Sequence, residues 1–168
     1  MIAYIKGEKG DEFYTPEYAV EPLIEFINHE LTVWEPTDFG ESKITSCLNK
    51  NGNKVISSHI STGQNFFEYS PDFHYDMIIT NPPYSLKTEF IKRCFELEKP
   101  FALLLPITAL EGQERGKIYR EFGGIELLVL DRRVEFISGK TNWFNTSWFC
   151  KDVLPEKLMF KEITKTKI

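Results

Sequence analysis

The strongest constraint on the fold of this 168-residue chain is the apolar run 75–80, which ends in Asn81-Pro82-Pro83-Tyr84. A short apolar run bounded by turn residues is typical of a strand that is buried on both faces of a parallel sheet. Proline cannot continue a central strand, so the strand must end at the tetrad. We therefore expect the tetrad at the carboxyl end of a buried strand.

The tetrad also indicates a specific chemistry. An adenine amino nitrogen is a poor nucleophile because its lone pair is delocalised into the ring. The Asn81 side-chain oxygen and the Pro82 backbone carbonyl can accept both of its hydrogens and aim the lone pair at a sulfonium methyl group. Pro82 and Pro83 hold these carbonyls rigidly, and Tyr84 offers a ring face for a base taken out of its helix. The alternative interpretation is an ordinary proline turn after a strand.

Apolar strand patterns alternate with helical patterns along the rest of the chain. Strands are predicted at 31–34, 54–60, 75–80, 100–106 and 125–130. Four helices are predicted. The first begins with Thr15 as N-cap and Pro16 in the first helical position, and the second and third end at about residues 50 and 97. The fourth covers residues 113–120. Segments 134–136, 147–149 and 158–160 are rich in aromatic β-formers and predict antiparallel strands at one edge. The pattern predicts an α/β fold, with a mostly parallel sheet and helices on both faces.

Length and composition predict one domain spanning residues 1–168. The chain is 42% hydrophobic and 27% charged, as is usual for a soluble globular protein, and no run approaches the length of a membrane span. Its start lacks the layout of a secretory signal. Its three cysteines are expected to be reduced thiols in the cytoplasm, and neither they nor the three histidines show metal-ligand spacing.

Charge is distributed unevenly along the chain. The net charge of −5 argues against strong nonspecific binding of nucleic acid. Residues 1–80 carry five Lys or Arg against 13 Asp or Glu, whereas residues 81–168 carry 15 against 12. A polyanion is therefore expected to meet the second half of the chain, although chance variation of the surface explains the asymmetry equally well.

A cofactor loop is expected in the turn after the first strand, residues 35–42, because open α/β sheets bind ligands beyond the carboxyl ends of their strands. Glu35 or Asp38 can accept hydrogen bonds from the amino group of a methionine moiety, and Gly40 permits close backbone approach. His59, near the end of the second strand, falls where a group that bonds a ribose is expected.

The turn before the third strand is the predicted adenine contact of the same cofactor. Asn65 can bond an adenine amino group, and Phe66 can pack on the adenine face. The alternative for the loop and this turn together is an ordinary strand-to-helix connection with a core phenylalanine.

Four segments together resemble the amino-group methyltransferases that use S-adenosylmethionine (SAM), and more closely the small DNA N6-adenine methyltransferases of phage and prophage type. The resemblance covers roughly residues 11–160, and the tetrad is its specific part. In order, the segments are Phe13-Tyr14-Thr15-Pro16, Trp34-Glu35-Pro36 with Gly40, Asn81-Pro82-Pro83-Tyr84, and Arg132-Arg133-Val134-Glu135-Phe136 followed by Trp143-Phe144-Asn145-Thr146-Ser147.

This resemblance implies a Rossmann-like class I methyltransferase fold with SAM as cofactor. Tyr14, Thr15 and Pro16 would pack over SAM, with Pro36 in the cofactor loop. The sequence departs from the family where Glu41-Ser42 replaces a second glycine, where His59 stands in place of an acidic residue, and where Asn65 stands in place of aspartate.

The function implied by the resemblance is methylation of adenine N6 in DNA. Arg132 and Arg133 are candidates for phosphate contacts, with Lys87 and Arg115 as weaker ones and a solvated face as the alternative for each, and Phe136 would lie near the target base. The alternatives are RNA or protein-glutamine methylation, a degenerate subunit without activity, and a small nucleotide binder. The expected partner is nucleic acid, DNA before RNA. We expect a monomer or homodimer, and a partner subunit for target recognition is possible because no recognition insertion is evident.

Overall fold

Seven strands form one sheet in the computed structural model, which describes residues 14–136 and 143–164. The strands are β1 Thr32–Glu35, β2 Lys54–Ser57, β3 Met77–Thr80, β4 Phe101–Pro106, β5 Glu126–Leu130, β6 Thr146–Lys151 and β7 Leu158–Lys161. The helices are α1 Glu17–Ile24, α2 Lys43–Asn51, α3 Lys87–Glu96 and α4 Gln113–Glu121. The predicted alternation of strands and helices is confirmed, although β2 is shorter than expected and ends before His59.

The order of the strands creates a crevice between β1 and β3. The sheet runs β2-β1-β3-β4-β6-β5-β7, and β1 is parallel to both of its neighbours, β2 and β3. α2 connects β1 to β2 in one direction along the sheet, and α3 connects β3 to β4 in the other. Because such crossovers are right-handed, α2 and α3 lie on opposite faces. The direction of winding reverses between β1 and β3, and ligands bind at such a reversal, beyond the carboxyl ends of the strands.

An antiparallel strand completes the C-terminal part of the sheet, as the sequence predicts. β6 runs antiparallel to both β4 and β5 and lies between them, with Trp148 opposite Leu104 and Leu128. The outermost strand, β7, is parallel to β5, so the antiparallel direction predicted for segment 158–160 is wrong. The predicted α/β fold with a mostly parallel sheet is therefore confirmed, and its reversed strand lies inside the sheet.

One predicted strand is wrong. Residues 134–136 form no strand, although Val134 and Phe136 are buried. The Glu135 backbone N–H donates to the Tyr18 hydroxyl on α1 at 2.8 Å, so a side chain of a helix takes the place of a strand partner. The apolar character of this segment reflects packing against α1 and the core.

The start of α1 also differs from the prediction. Pro16 occupies the cap position with extended backbone angles, φ −72° and ψ 149°, and the helix begins at Glu17. Thr15 does not cap the helix, because its hydroxyl accepts a hydrogen bond from the Asn81 side chain. α1 is fixed to the sheet where the indole of Trp148, on β6, donates to the Ala19 carbonyl at 2.8 Å.

The described part of the chain contains neither a membrane-spanning helix nor a metal-binding cluster. None of its helices is long and apolar enough to cross a membrane, and no three His, Cys, Asp or Glu side chains are grouped to hold a metal ion. Cys47, Cys94 and Cys150 are buried, free thiols.

Candidate active site at the carboxyl ends of β1 and β3

An open pocket lies in the crevice between β1 and β3. It brings together seven residues predicted from sequence, which are Tyr14, Thr15, Glu35, Asp38, His59, Asn81 and Pro83. The remaining lining residues are Thr37, Phe39, Glu41, Ser42, Lys43 and Ile44. The predicted cofactor loop, the segment before α1 and the tetrad thus share one cavity, although they are far apart in the sequence.

Glu35, the last residue of β1, is a buried carboxyl group held by hydroxyl groups. Its Oε1 accepts from the Thr37 backbone and hydroxyl at 3.1 Å each and from the Thr80 hydroxyl. Its Oε2 accepts from the Ser42 hydroxyl at 3.0 Å. Burial raises the pKa of Glu35 to about 7, and the hydrogen bonds from Thr80 and Thr37 only partly offset this increase.

Asp38 organises the cofactor loop from inside. Its Oδ1 accepts from the backbone N–H groups of Gly40, Glu41 and Ser42 at 2.7, 3.1 and 3.0 Å. Its Oδ2 accepts from the hydroxyls of Thr45 and Ser57 at 2.7 Å each. Burial acts to raise the pKa of Asp38, but these hydrogen bonds outweigh it and leave the pKa below its usual value.

These contacts decide between Glu35 and Asp38, the two acids that the sequence offered as acceptors for the methionine amino group. An ionised carboxylate has about four acceptor sites. Asp38 accepts five hydrogen bonds from its own loop and neighbours, so its acceptor sites are filled. Glu35 accepts four, but three of them fall on Oε1 and only one, from Ser42, falls on Oε2, so Oε2 is the oxygen with acceptor capacity toward the pocket.

The single glycine of the loop is explained by its backbone. Gly40 has φ +117°, a conformation that favours glycine. Ser42, which stands where the family has a second glycine, has φ −64° and caps α2 by accepting from the backbone N–H groups of Ile44 and Thr45. The loop therefore needs glycine at position 40 and accepts serine at position 42.

His59 presents a hydrogen-bond donor at the pocket. The Ser61 backbone N–H donates to His59 Nδ1 at 3.1 Å, so Nδ1 is the acceptor and the neutral ring carries its hydrogen on Nε2. The ring packs edge-on against Phe39, with centroids 5.0 Å apart. A donor therefore replaces the acidic acceptor that is usual near this position.

Asn81 is fixed from two sides. Its side-chain Nδ2 donates to Thr15 Oγ1 at 3.0 Å, so the amide oxygen faces away from Thr15. Its backbone carbonyl lies 3.5 Å from the Thr37 hydroxyl, which is 2.6 Å from the hydroxyl of Thr80. Thr80 also donates to Glu35, so the Thr37 and Thr80 hydroxyls lie in contact with each other between the cofactor loop and the tetrad.

Tyr84 is surrounded by aromatic rings. Its ring lies edge-on to Phe136, at 6.2 Å between centroids, and to Phe144, at 5.7 Å. Its backbone carbonyl accepts from Lys87 Nζ at 3.1 Å. Phe136 therefore lies beside the tetrad, as predicted from the resemblance, whereas Lys87 contacts the tetrad backbone.

Two predicted adenine contacts lie elsewhere. Phe66 is 2% exposed and stacks on Phe90 of α3, with centroids 4.8 Å apart, so it is a core residue. Asn65 turns its side-chain oxygen to the Phe67 backbone N–H at 3.2 Å and closes its own turn. Neither lines the pocket.

The other predicted residues form the surroundings of the pocket and do not line it. Pro16 and Pro36 flank lining residues, and Gly40 gives the loop its turn. Phe13, the first residue of the matched segment, lies outside the described residues.

The predicted phosphate-binding arginines have different surroundings. Arg132 and Arg133 are exposed after β5, where a polyanion can reach them. Arg115 has an internal role, because its guanidinium donates to the carbonyls of Ala109 and Glu111 and to the Thr88 hydroxyl at 2.8 Å. These bonds tie the loop after β4 to α3.

Sequence reasoning missed the hydroxyl groups. Thr37 and Thr80 lie between Glu35 and the tetrad, Ser42 binds Glu35 from the cofactor loop, and only their positions next to the strand ends pointed to the site. Phe39, which is 50% exposed at the pocket, was also missed.

Alignment with solved structures shows which fold this is. The structure of an inferred RNA methyltransferase from Pyrococcus horikoshii aligns with a TM-score of 0.61 and 15% identity, over 88% of this chain and 87% of that chain. The chain has the fold of the class I methyltransferases. An inferred class I SAM-dependent methyltransferase from Listeria monocytogenes aligns with a TM-score of 0.54 and 11% identity, over 95% of this chain and 68% of that chain.

A third methyltransferase-fold structure is the modification subunit of an inferred type I restriction enzyme from Vibrio vulnificus. It aligns with a TM-score of 0.53 and 14% identity, over 96% of this chain and 49% of that chain. No family model matches the sequence, and no curated protein is significantly similar to it. At these identities the likeness shows the fold, and the chemistry must be argued from the pocket.

Proposed function

We propose that this chain is a SAM-dependent methyltransferase that modifies the exocyclic amino group, N6, of adenine in DNA. The observation that carries the proposal is the position of Asn81. Its amide lies at the reversal point of a methyltransferase fold, in the same pocket as Glu35 and hydrogen bonded to Thr15. A proline turn with a purely structural role has no need for an amide at the wall of that pocket.

The pocket residues fit SAM by their chemistry. Glu35 Oε2 has acceptor capacity for the ammonium group of the methionine moiety. Tyr14 and Phe39 are 62% and 50% exposed, so their rings are available to the adenine moiety, and His59 Nε2 offers a donor to a ribose oxygen. Asp38 would act on SAM only through the loop that it holds.

The residues of the tetrad would prepare the target amino group. Asn81 Oδ1 and the Pro82 carbonyl accept its two hydrogens and hold the nitrogen in line with the methyl donor, and Tyr84 stacks on the base. When bound, SAM would supply a sulfonium methyl to the nitrogen held by Asn81 and Pro82 and would leave as S-adenosylhomocysteine, and the proton released by the nitrogen would pass to water. Positioning and electrostatics provide the acceleration in this scheme.

The choice of DNA rests on the resemblance of the segments before α1 and after β5. RNA is the second candidate, because the neighbour that aligns over most of both chains is described as an RNA methyltransferase. The neighbour described as a restriction-enzyme modification subunit favours DNA. A glutamine amide is also a planar amino group, and the same tetrad would orient it.

Expression in a host without its own adenine methyltransferases would test the proposal. DNA and RNA are digested separately, and N6-methyladenine is measured by mass spectrometry with Asn81→Ala as the control. We expect modified adenine in DNA that disappears in the variant. Modification of RNA alone would transfer the assignment to RNA. Absence of both, with no stabilisation of the purified protein by SAM, would favour the degenerate subunit.

A further inference from the structure

We propose that the ring of Trp143 extends the active site into a stacking surface for unpaired bases, so that the preferred substrate is a single-stranded or unpaired stretch of nucleic acid. This inference rests on the proposed function and names the form of its substrate. The stacking surface consists of the exposed Trp143 and the partly buried Phe144, which are backed by the buried rings of Phe136 and Tyr84.

The rings of the stacking surface form a continuous path away from the tetrad. Tyr84 is 8% exposed and touches Phe144 edge-on at 5.7 Å. Phe144 in turn lies perpendicular to Trp143, with centroids 5.2 Å apart and an interplanar angle of 89°. Trp143 is 79% exposed, the highest exposure among the large hydrophobic side chains of the described residues. The path thus begins beside the proposed target base and ends in solvent.

The exposure of Trp143 contrasts with the other two tryptophans. Trp34 and Trp148 are fully buried, and each indole N–H donates a hydrogen bond, to Ser58 and to Ala19 respectively. An exposed tryptophan ring next to an active site is suited to stacking on a base, since every base has a π-face. Packing in the hydrophobic core therefore does not explain why a tryptophan stands at position 143.

Charge points to the same occupant. Arg132 and Arg133 are exposed in the segment that leads to Phe136, on the half of the chain with positive balance. The carboxylate of Asp131 beside them accepts from the Ile163 backbone N–H at 2.9 Å and so has a structural partner. Proteins that hold single strands combine a positively charged surface with aromatic rings on which bases stack. The net charge of −5 disfavours tight nonspecific binding of a duplex, and an unpaired base avoids the cost of extrusion.

Trp143 also provides the signal for the test. The protein without SAM, which cannot turn over, is titrated with a short single-stranded oligodeoxynucleotide, the matching RNA and the matching DNA duplex while tryptophan emission and its quenching by iodide are followed. We expect a single strand to protect Trp143 from iodide and to bind several-fold more tightly than the duplex. Trp143→Ala should weaken single-strand binding about tenfold or more, and Trp143→Phe should retain most of it.

Two results would overturn the inference. One is that Trp143→Ala binds a single strand as tightly as the parent protein does. If sedimentation then shows that the substitution changes the oligomeric state, Trp143 contacts another protein chain instead. The other is duplex binding as tight as single-strand binding, with Trp143 still open to iodide. Failure of the methylation assay alone would leave this binding result intact, so the two proposals fail separately.

Discussion

Asn81 Nδ2 donates to Thr15 Oγ1 at 3.0 Å, across 66 positions of sequence. The bond joins the tetrad to the segment that precedes α1, and both residues line the pocket. A donor that is held by threonine fixes the plane of the amide and turns its oxygen away from Thr15. Thr15 is thus a positioning residue in the proposed mechanism.

Replacing Thr15 by valine tests this role, because valine keeps the shape of the side chain and removes the acceptor. We expect kcat to fall about tenfold to hundredfold, as is usual when a reacting group is misplaced. The Kd for SAM, measured by calorimetry, should change much less. Thr15→Ser keeps the hydroxyl and should restore most of the rate. Equal losses in the valine and serine variants would show that Thr15 acts only through packing.

Glu35 should make the free energy of unfolding decrease as the pH rises, which is the opposite of the usual effect of a carboxyl group. Its pKa rises from 4.5 to about 7 on folding, so between these values the folded state binds the extra proton. Stability from this group is therefore full below about pH 4.5 and is lost as pH rises through about 7, by about 3 kcal/mol. Glu35→Gln should remove this slope in urea unfolding measured at pH 5, 6 and 8.

The matched control for Glu35 is Glu121→Gln, which changes an exposed carboxyl on α4. It should leave the pH dependence as it is in the parent protein. A parent profile that rises from pH 5 to pH 8 relative to Glu35→Gln would contradict the direction given for the Glu35 pKa.

Removal of the Asp38 carboxylate should loosen the cofactor loop. Asp38→Ala leaves three backbone N–H groups and two hydroxyls without their acceptor, and we expect a loss of about 3 kcal/mol or more in unfolding free energy. SAM affinity should fall at least about tenfold. Ser57→Ala removes only one of these bonds and should cost about 1 kcal/mol. A loss for Asp38→Ala no larger than that for Ser57→Ala would rule out its organising role.

Two glycine substitutions should have opposite effects on stability. Gly40→Ala forces alanine to φ +117°, with no atom within 4 Å of the new Cβ, so the expected cost of about 1–3 kcal/mol is backbone strain alone. Gly116→Ala lies inside α4 and should stabilise by up to about 1 kcal/mol, because alanine is the better helix former. Thermal unfolding of the two variants measures both effects, and a neutral Gly40→Ala would show that the loop relaxes.

The sequence predicted well whatever depends on local pattern. Apolar runs located the strands, and because parallel strands end at one edge, Glu35, Asp38, His59 and Asn81 were expected to converge. Contacts between segments that are distant in the sequence could not be predicted from local pattern. Phe66 belongs to the core because it packs against Phe90 of α3 and Trp34 of β1, and the contact between Thr37 and Thr80 arises from pairing of neighbouring strand ends.

The same limit explains the strand that was predicted wrongly at 134–136. Its β-forming residues are buried, but their partner is the hydroxyl of Tyr18 on α1, which no periodicity reveals. The orientation of the Thr15 side chain could likewise not be predicted. A threonine before a proline looks the same in the sequence whether it caps a helix or accepts a hydrogen bond from a distant amide.

The place of β6 has a consequence for how the chain is made. β6 comes late in synthesis, yet it forms the contact between β4 and β5. Until residues 146–151 have left the ribosome, β4 is an open edge with unpaired backbone groups, and β5 has no strand to join. Pairings this distant in sequence form slowly, and exposed edges attract other chains. Nascent chains that stall after α4 should therefore be the aggregation-prone species, and residues 146–161 complete the sheet.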